Sequence, residues 1–249
     1  GFTYLTEEDA AAGKTYEQGR TILFAIAQGK EPGTTHNYYS GWAHNASLPM
    51  ELYLSDDGTS IAMEPIEELH TLRTQTVYAS ETAMTAEEAN AAIGQLRGDS
   101  FEIRMKLSLS ETAETYSAGL YVRFNPYTNS LNQTERTGIV FGSNGVYIDR
   151  SQTSLYVMGL GNSHVWDNTA GEFDVVVYMD RSMLEVYVNG TVSFTSRMYP
   201  KYEDSDYLRF FAEGCTLTVS DLTIYTLGSA YSDTVTPAYY GNTGSIQNA

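Results

Sequence analysis

The sequence is short of cationic side chains, of cysteine and of long apolar runs, and each shortage narrows what the protein can do. Lys and Arg number 14 against 31 Asp and Glu, a formal net charge of −17 at pH 7. Nucleic acids and anionic membrane surfaces are bound through basic patches, so neither is expected as a partner. The single cysteine, Cys215, excludes an internal disulfide framework and a cysteine-based zinc site. It falls in a predicted strand, where a small buried hydrophobe is the ordinary role. No run approaches the roughly 18 apolar residues that a membrane-spanning helix needs. The four histidines, His36, His44, His70 and His164, lack metal-ligand spacing, so no metal or other cofactor is expected. No basic-then-apolar leader opens the chain. Gly1-Phe2-Thr3-Tyr4 instead enters strand-like sequence at once. That suits a chain beginning downstream of a longer protein's start, in an extracellular rather than a cytoplasmic setting.

What the chain has is strand code, clearest from Phe173 to Pro200. Val175 to Met179 is almost continuously apolar, as in a strand covered on both faces. Asp180-Arg181-Ser182 breaks the run with turn-forming side chains. Leu184, Val186 and Val188 then alternate with Glu185, Tyr187 and Asn189, which predicts a half-buried strand with one wet face. Asn189-Gly190 is the pair that best tolerates the positive φ angles of a type I′ hairpin. Val192 and Phe194 alternate with polar residues on the returning strand. Three adjacent antiparallel strands therefore form the middle of an all-β sheet.

Short strands recur on both sides of this centre. Residues 1–75 form a first unit, with a buried strand from Arg20 to Ala27, a second from Ser47 to Ser55, a turn at Asp56-Asp57-Gly58, and a return at Ser60 to Met63. Residues 76–100 are a connector, and Thr85 to Leu96 in it predicts a short helix capped by Thr85 with Glu88 three residues on. Residues 101–228 carry the spacing of a two-sheet antiparallel β-sandwich. Its predicted strands include Phe101 to Leu107, Ala118 to Phe124, Gly138 to Phe141, Gly145 to Ile148 and Leu155 to Met158. Residues 229–249 lack periodicity and suit a linker or tail.

Two sets of segments carry a resemblance. D-R-S-x-L-E-V-Y-V-N-G at Asp180 to Gly190, F-T-S-R-M-Y-P at Phe194 to Pro200, and L-R-F-F-A-E-G-C at Leu208 to Cys215 resemble the C-terminal β-sandwich of glycoside hydrolase family 32, the invertases, levanases and inulinases. Gly19 to Leu23, Gly41-Trp42, Ser47 to Leu52, Asp56 to Gly58 and Pro65 to Leu69 resemble the last blade of that family's five-bladed propeller. The resemblance implies a concanavalin-like sandwich preceded by one propeller-type blade.

The family's chemistry uses an aspartate nucleophile in N-D-P-N-G, a second aspartate in R-D-P and a glutamate acid/base in E-C. None of these motifs occurs in the sequence, so no catalytic residue is assigned. Retaining hydrolysis needs two carboxyl groups about 5 to 5.5 Å apart. The resemblance implies a substrate-binding role for two aromatics at the rim of the sugar pocket, Trp42 and, through a looser match, Tyr4. Each can equally fill the blade. Glu7-Glu8, Glu67-Glu68 and Glu87-Glu88 suit solvated faces rather than acid/base pairs. Asp149-Arg150-Ser151 and Asp180-Arg181-Ser182 suit strand ends held by local ion pairs. Asn45, Asn132 and Asn189 stand in sequons by pattern alone.

Three functions fit these readings. The first is the C-terminal part of a hydrolase acting on β-fructosides (sucrose, levan or inulin), scaffolding in role. Its partners would be a fructose-containing oligo- or polysaccharide and either the N-terminal half of the propeller or a second copy of the chain. The second is a non-catalytic carbohydrate-binding sandwich, which a row of exposed aromatics such as Tyr116, Tyr121 and Tyr127 would favour. The third is a pure interaction module.

Overall fold

The computed structural model describes residues 1–15, 18–28, 44–55, 58–128, 134–153, 163–165 and 171–230. Trp42, the predicted strand from Leu155 to Met158 and residues 231–249 lie outside them. The first sheet is four-stranded and antiparallel, in the order β1 (Phe2–Tyr4), β2 (Arg20–Leu23), β5 (Met50–Leu54), β6 (Ile61–Pro65). A two-stranded ribbon of β3 (Ile26–Gln28) and β4 (His44–Ala46) sits between β2 and β5 in sequence. Gly58, with φ of +68°, turns the chain between β5 and β6 as the Asp-Asp-Gly signal predicts.

A 3-10 helix, Glu67–Leu72, leads into β7 (Arg73–Ser80), and β8 (Met84–Thr85) follows. The stretch read as a connector therefore supplies two strands to the sandwich. Thr85 caps the Ala86–Ile93 helix in a complete capping box. The Glu88 amide donates to Thr85 Oγ1 at 3.2 Å and the Thr85 amide to Glu88 Oε2 at 2.9 Å.

The sandwich comprises β9 (Ser100–Ser110), β10 (Ser117–Phe124), β11 (Arg136–Gly142), β12 (Gly145–Gln152), β13 (Ser163–His164), β14 (Glu172–Asp180), β15 (Met183–Val188), β16 (Val192–Arg197), β17 (Tyr207–Glu213) and β18 (Thr216–Leu227). One sheet runs β16-β15-β14-β9-β18-β7, with β8 beside β18. The other runs β13-β12-β11-β10-β17. Between them lies a core in which Phe101, Ile103, Leu120, Ile139, Val177 and Leu184 are all buried. The alternation of apolar residues along these strands is what aims them inward.

At the centre, Asn189 and Gly190 have φ of +52° and +62°, the left-handed pair that a type I′ hairpin requires. The Asn189 amide donates to the Asp174 carbonyl at 2.9 Å, and the Asp174 amide donates back to Asn189 Oδ1 at 2.7 Å. The turn is thereby tied to β14 as well as to its own strands.

Four expectations change. Leu184, Val186 and Val188 face the core as predicted, but Glu185 and Tyr187 are not wet; each is 2% exposed. The four-stranded sheet lies over them, so the period-2 pattern is right and the identity of the second face is not water. Ile22 is buried and Leu23 packs against the same seam, while Phe24 and Ile26 stay 48% and 70% exposed. Cys215 is half-buried in the bend between β17 and β18 rather than in a strand. The two Asp-Arg-Ser triplets hold no local ion pairs among the described residues. Asp149 accepts the Ser151 amide at 2.8 Å, Arg150 is buried and donates to the Arg197 carbonyl at 3.3 Å, and Arg181 takes a turn φ of +51°.

Candidate functional site

Where the four-stranded sheet meets the sandwich, polar residues are buried that the sandwich fold alone would leave wet. Strand register puts Glu185, Tyr178, Glu102 and Tyr225 side by side across β15, β14, β9 and β18. All four project from the face opposite the core, because their strand neighbours Leu184, Val177 and Ile103 project into it. Met50, Leu69, Tyr178 and Tyr187 form a second buried cluster there, flanked by Leu48, Leu52, Met63 and Val176. Residues from both units build this cluster, so the seam is a hydrophobic contact with polar groups set into it.

Each buried carboxylate in the seam is handled differently. Glu102 is fully buried, yet it accepts two hydrogen bonds from Arg73 at 2.7 and 2.6 Å and one from Arg104 at 2.6 Å. Burial alone would raise its pKa, but the two guanidiniums outweigh that and hold it below the ordinary range. Arg104 also donates to His70 Nε2 at 3.0 Å. Burial, reinforced by the nearby Arg73 charge, pushes His70 down, so its imidazole stays neutral.

Glu185 has no cationic partner among the described residues. Its Oε1 accepts the Leu48 amide at 2.6 Å and its Oε2 the Tyr187 hydroxyl at 2.9 Å. Burial pushes its pKa up to about 7 against the pull of those two bonds. Burial also pushes Tyr178 up to about 12 and Tyr187 higher still. A carboxyl titrating near 7 has the pKa of a general acid. Retaining glycoside hydrolysis would require a second carboxyl within about 5.5 Å, whereas Glu185 has Tyr178 and Thr195 as its cross-strand neighbours. Both of its oxygens are already engaged in holding the seam.

Further bonds close the seam at its other end. The Met63 amide donates to the Gly190 carbonyl at 2.7 Å, and Ser193 Oγ to Met63 Sδ at 2.9 Å. Arg20 is clamped within the first unit by Glu51 at 2.8 Å and Glu68 at 2.6 Å, which gives Glu68 a structural partner. A cavity of about 550 Å³ opens beside Glu185, lined also by Asn45, Leu48, Tyr178, Asp180 and Arg181.

The aromatic residues singled out from sequence do not form one row. Tyr116 is half-buried against the core and Tyr127 is 66% exposed in a loop. The Tyr121 ring stacks on Phe211, with ring centres 4.0 Å apart. Tyr4 lies in β1, paired with Arg20, and its side chain is outside the described residues. Among the described residues no three His, Cys, Asp or Glu side chains converge as metal ligands.

Sequence periodicity missed Glu185, Tyr187 and Glu102 as seam residues. A Glu and a Tyr alternating with valines look the same whether the outer face meets water or another sheet. The available signal was the apolar Leu48 to Leu54 stretch, which needs a partner surface.

Residues 68–226 match the family model described as Glycosyl hydrolases family 32 C terminal. The chain belongs to that family. This family 32 chain is 22% identical over 202 residues to a fructan beta-fructosidase of Streptococcus mutans, covering 76% of the chain and 13% of the relative. Its fold is similar to that of fructan 1-exohydrolase IIa from Cichorium intybus, with a TM-score of 0.65 at 16% identity, over 86% of this chain and 46% of that one. A fructosyltransferase from A. japonicus gives a TM-score of 0.63 at 17% identity, over 90% and 43%. The chain thus spans less than half the length of these structures and about an eighth of the curated relative.

Proposed function

We propose that this family 32 chain is the C-terminal part of a retaining β-fructoside hydrolase, in which the sandwich braces the last propeller blade. In that reading residues 1–75 are an incomplete propeller, 76–100 a connector that also adds strands to the edge of the sandwich, 101–228 the rest of the sandwich and 229–249 a tail. The observation that carries it is the seam itself. Glu185 and Tyr187 are buried on the sandwich's outer face only because the four-stranded sheet covers them, while Phe2 on that sheet and Phe24 and Ile26 just beyond its second strand stay exposed. A blade fixed on one side and apolar on another has the form of an element that docks further blades. Trp42 and Tyr4 would then border the sugar pocket, and the parent enzyme would release terminal fructose from sucrose, levan or inulin.

The chain's own part in this is scaffolding, without catalytic carboxylates. It lacks N-D-P-N-G, R-D-P and E-C, and the two buried carboxyl groups among the described residues, Glu102 and Glu185, are committed to Arg73 and Arg104 and to Leu48 and Tyr187 respectively. Incubated with sucrose, inulin and levan, the purified chain should release no fructose above buffer. Turnover abolished by substituting one of its own carboxylates would overturn the reading.

A further inference from the structure

A cleft of about 870 Å³ runs between the Ala86–Ile93 helix and the outer face of the five-stranded sheet, away from the seam. Its walls are fixed to each other. Asn90 Nδ2 donates to the Phe210 carbonyl at 2.9 Å, and the Phe210 amide donates to Asn90 Oδ1 at 2.7 Å. The sheet side carries the parallel Tyr121–Phe211 pair, the ring planes within 6°. The Arg136 guanidinium lies 4.7 Å from the centre of the Tyr121 ring, and that of Arg209 lies 5.3 Å from the centre of Phe124.

The two arginines are underused. Arg136 Nη1 donates to Thr134 Oγ1 at 2.6 Å, but its Nε is buried and has no hydrogen-bond partner. Neither guanidinium pairs with a carboxylate among the described residues. Both therefore line the cleft without a carboxylate partner, in a chain with 31 acidic side chains.

We propose that this cleft binds a neutral saccharide chain. Its charged lining is Arg136 and Arg209 against the exposed Glu87 and Glu213, which balance to zero in a protein of −17. An anion would meet the two carboxylates and the field of the whole chain. A purely apolar ligand would strand four charges. Sugar hydroxyls both donate and accept, so they can satisfy guanidiniums and carboxylates together, and the aromatic pair offers apolar surface to C–H groups. The ligand class follows from this lining. The choice of fructan as the first probe rests on the reading above.

Affinity electrophoresis of the chain through inulin, levan and soluble starch tests the site. Retardation by inulin or levan is expected, and Arg136→Gln and Glu213→Gln should each weaken it about tenfold to a hundredfold, the loss of one charge-assisted hydrogen bond. Glu213 is exposed, so its variant keeps the fold and guards against a trivial loss at Arg136. Retardation by starch alone, sensitive to both variants, would keep the site and count against the fructosidase reading. Retardation by none of the three, or retardation unchanged in both variants, would overturn the proposal.

Discussion

The Leu48 amide donates to Glu185 Oε1 across 2.6 Å, joining residues 137 apart in sequence and the two units of the molecule. The bond is made to a carboxyl group whose charge the seam disfavours. The pair therefore ties the two units together and makes their contact sensitive to pH.

The sign follows from linkage. Glu185 has a folded pKa of about 7 against an ordinary 4.5. Below the lower value both states are protonated and the group adds no penalty. Between the two values the unfolded chain ionises first, so stability falls as pH rises, by up to about 3 kcal/mol above pH 7. Glu185→Gln should leave stability unchanged near pH 4 and raise it at pH 8. Glu102 has the opposite sign: its depressed pKa gives stability that is present above 4.5 and lost as pH falls. Melting temperatures of the wild type and of Glu185→Gln across pH 4 to 8 check the assignment; a constant offset between them would refute it.

Leu184 is fully buried in the sandwich core on the opposite face of the same strand. Leu184→Ala should cost about 2 to 5 kcal/mol at every pH, since it removes apolar contacts and leaves a cavity. Denaturant midpoints measure this, and wild-type behaviour would mean the strand's two faces are misassigned.

Gly190 combines a φ of +62° with a carbonyl that accepts the Met63 amide. A Cβ added there would also stand 3.2 Å from Glu64 Oε1. Gly190→Val should therefore destabilise by about 1 to 3 kcal/mol, because a β-branched residue is strained in the left-handed region. Gly190→Asn, which tolerates that region, should cost clearly less. Equal losses would point to side-chain bulk against Glu64 rather than to backbone strain.

These three sites also mark how far the sequence could be read. The Asn-Gly turn, the Thr85–Glu88 capping box and the inward valines of β15 are local: two to four residues carry the whole physical reason. The seam is not local. Glu185 is met by the Leu48 amide, 137 residues away, and Glu102 by Arg73, 29 residues away, and alternation does not say what covers a face. The arginines divide in the same way. Arg20 among Glu51 and Glu68 is legible only once β2 and β5 are paired, and Arg136 over Tyr121 only once β10 and β11 are. The expected sugar-pocket aromatics depend on a resemblance of motifs, and no periodicity marks either one.

The last expectation concerns the apolar surface that the seam leaves uncovered. Phe2 and Phe24 stack on each other with ring centres 6.1 Å apart while each is about half exposed, and Ile26 is 70% exposed nearby in sequence. Leu54 and Ile61, paired across β5 and β6, are 68% and 58% exposed. Exposed apolar groups of this kind on the first unit favour association, and among the described residues β1 is an edge of the four-stranded sheet that can add to it. Concentration-dependent association should appear in light scattering of the purified chain. Phe24→Ser with Ile26→Ser should weaken it without lowering the melting temperature, because neither side chain supports the core or the seam. Adding a family 32 propeller fragment that lacks its last blade should compete with self-association if the same surface docks both. A strictly monomeric wild-type chain at every concentration would contradict the expectation, and so would association that the double variant leaves intact.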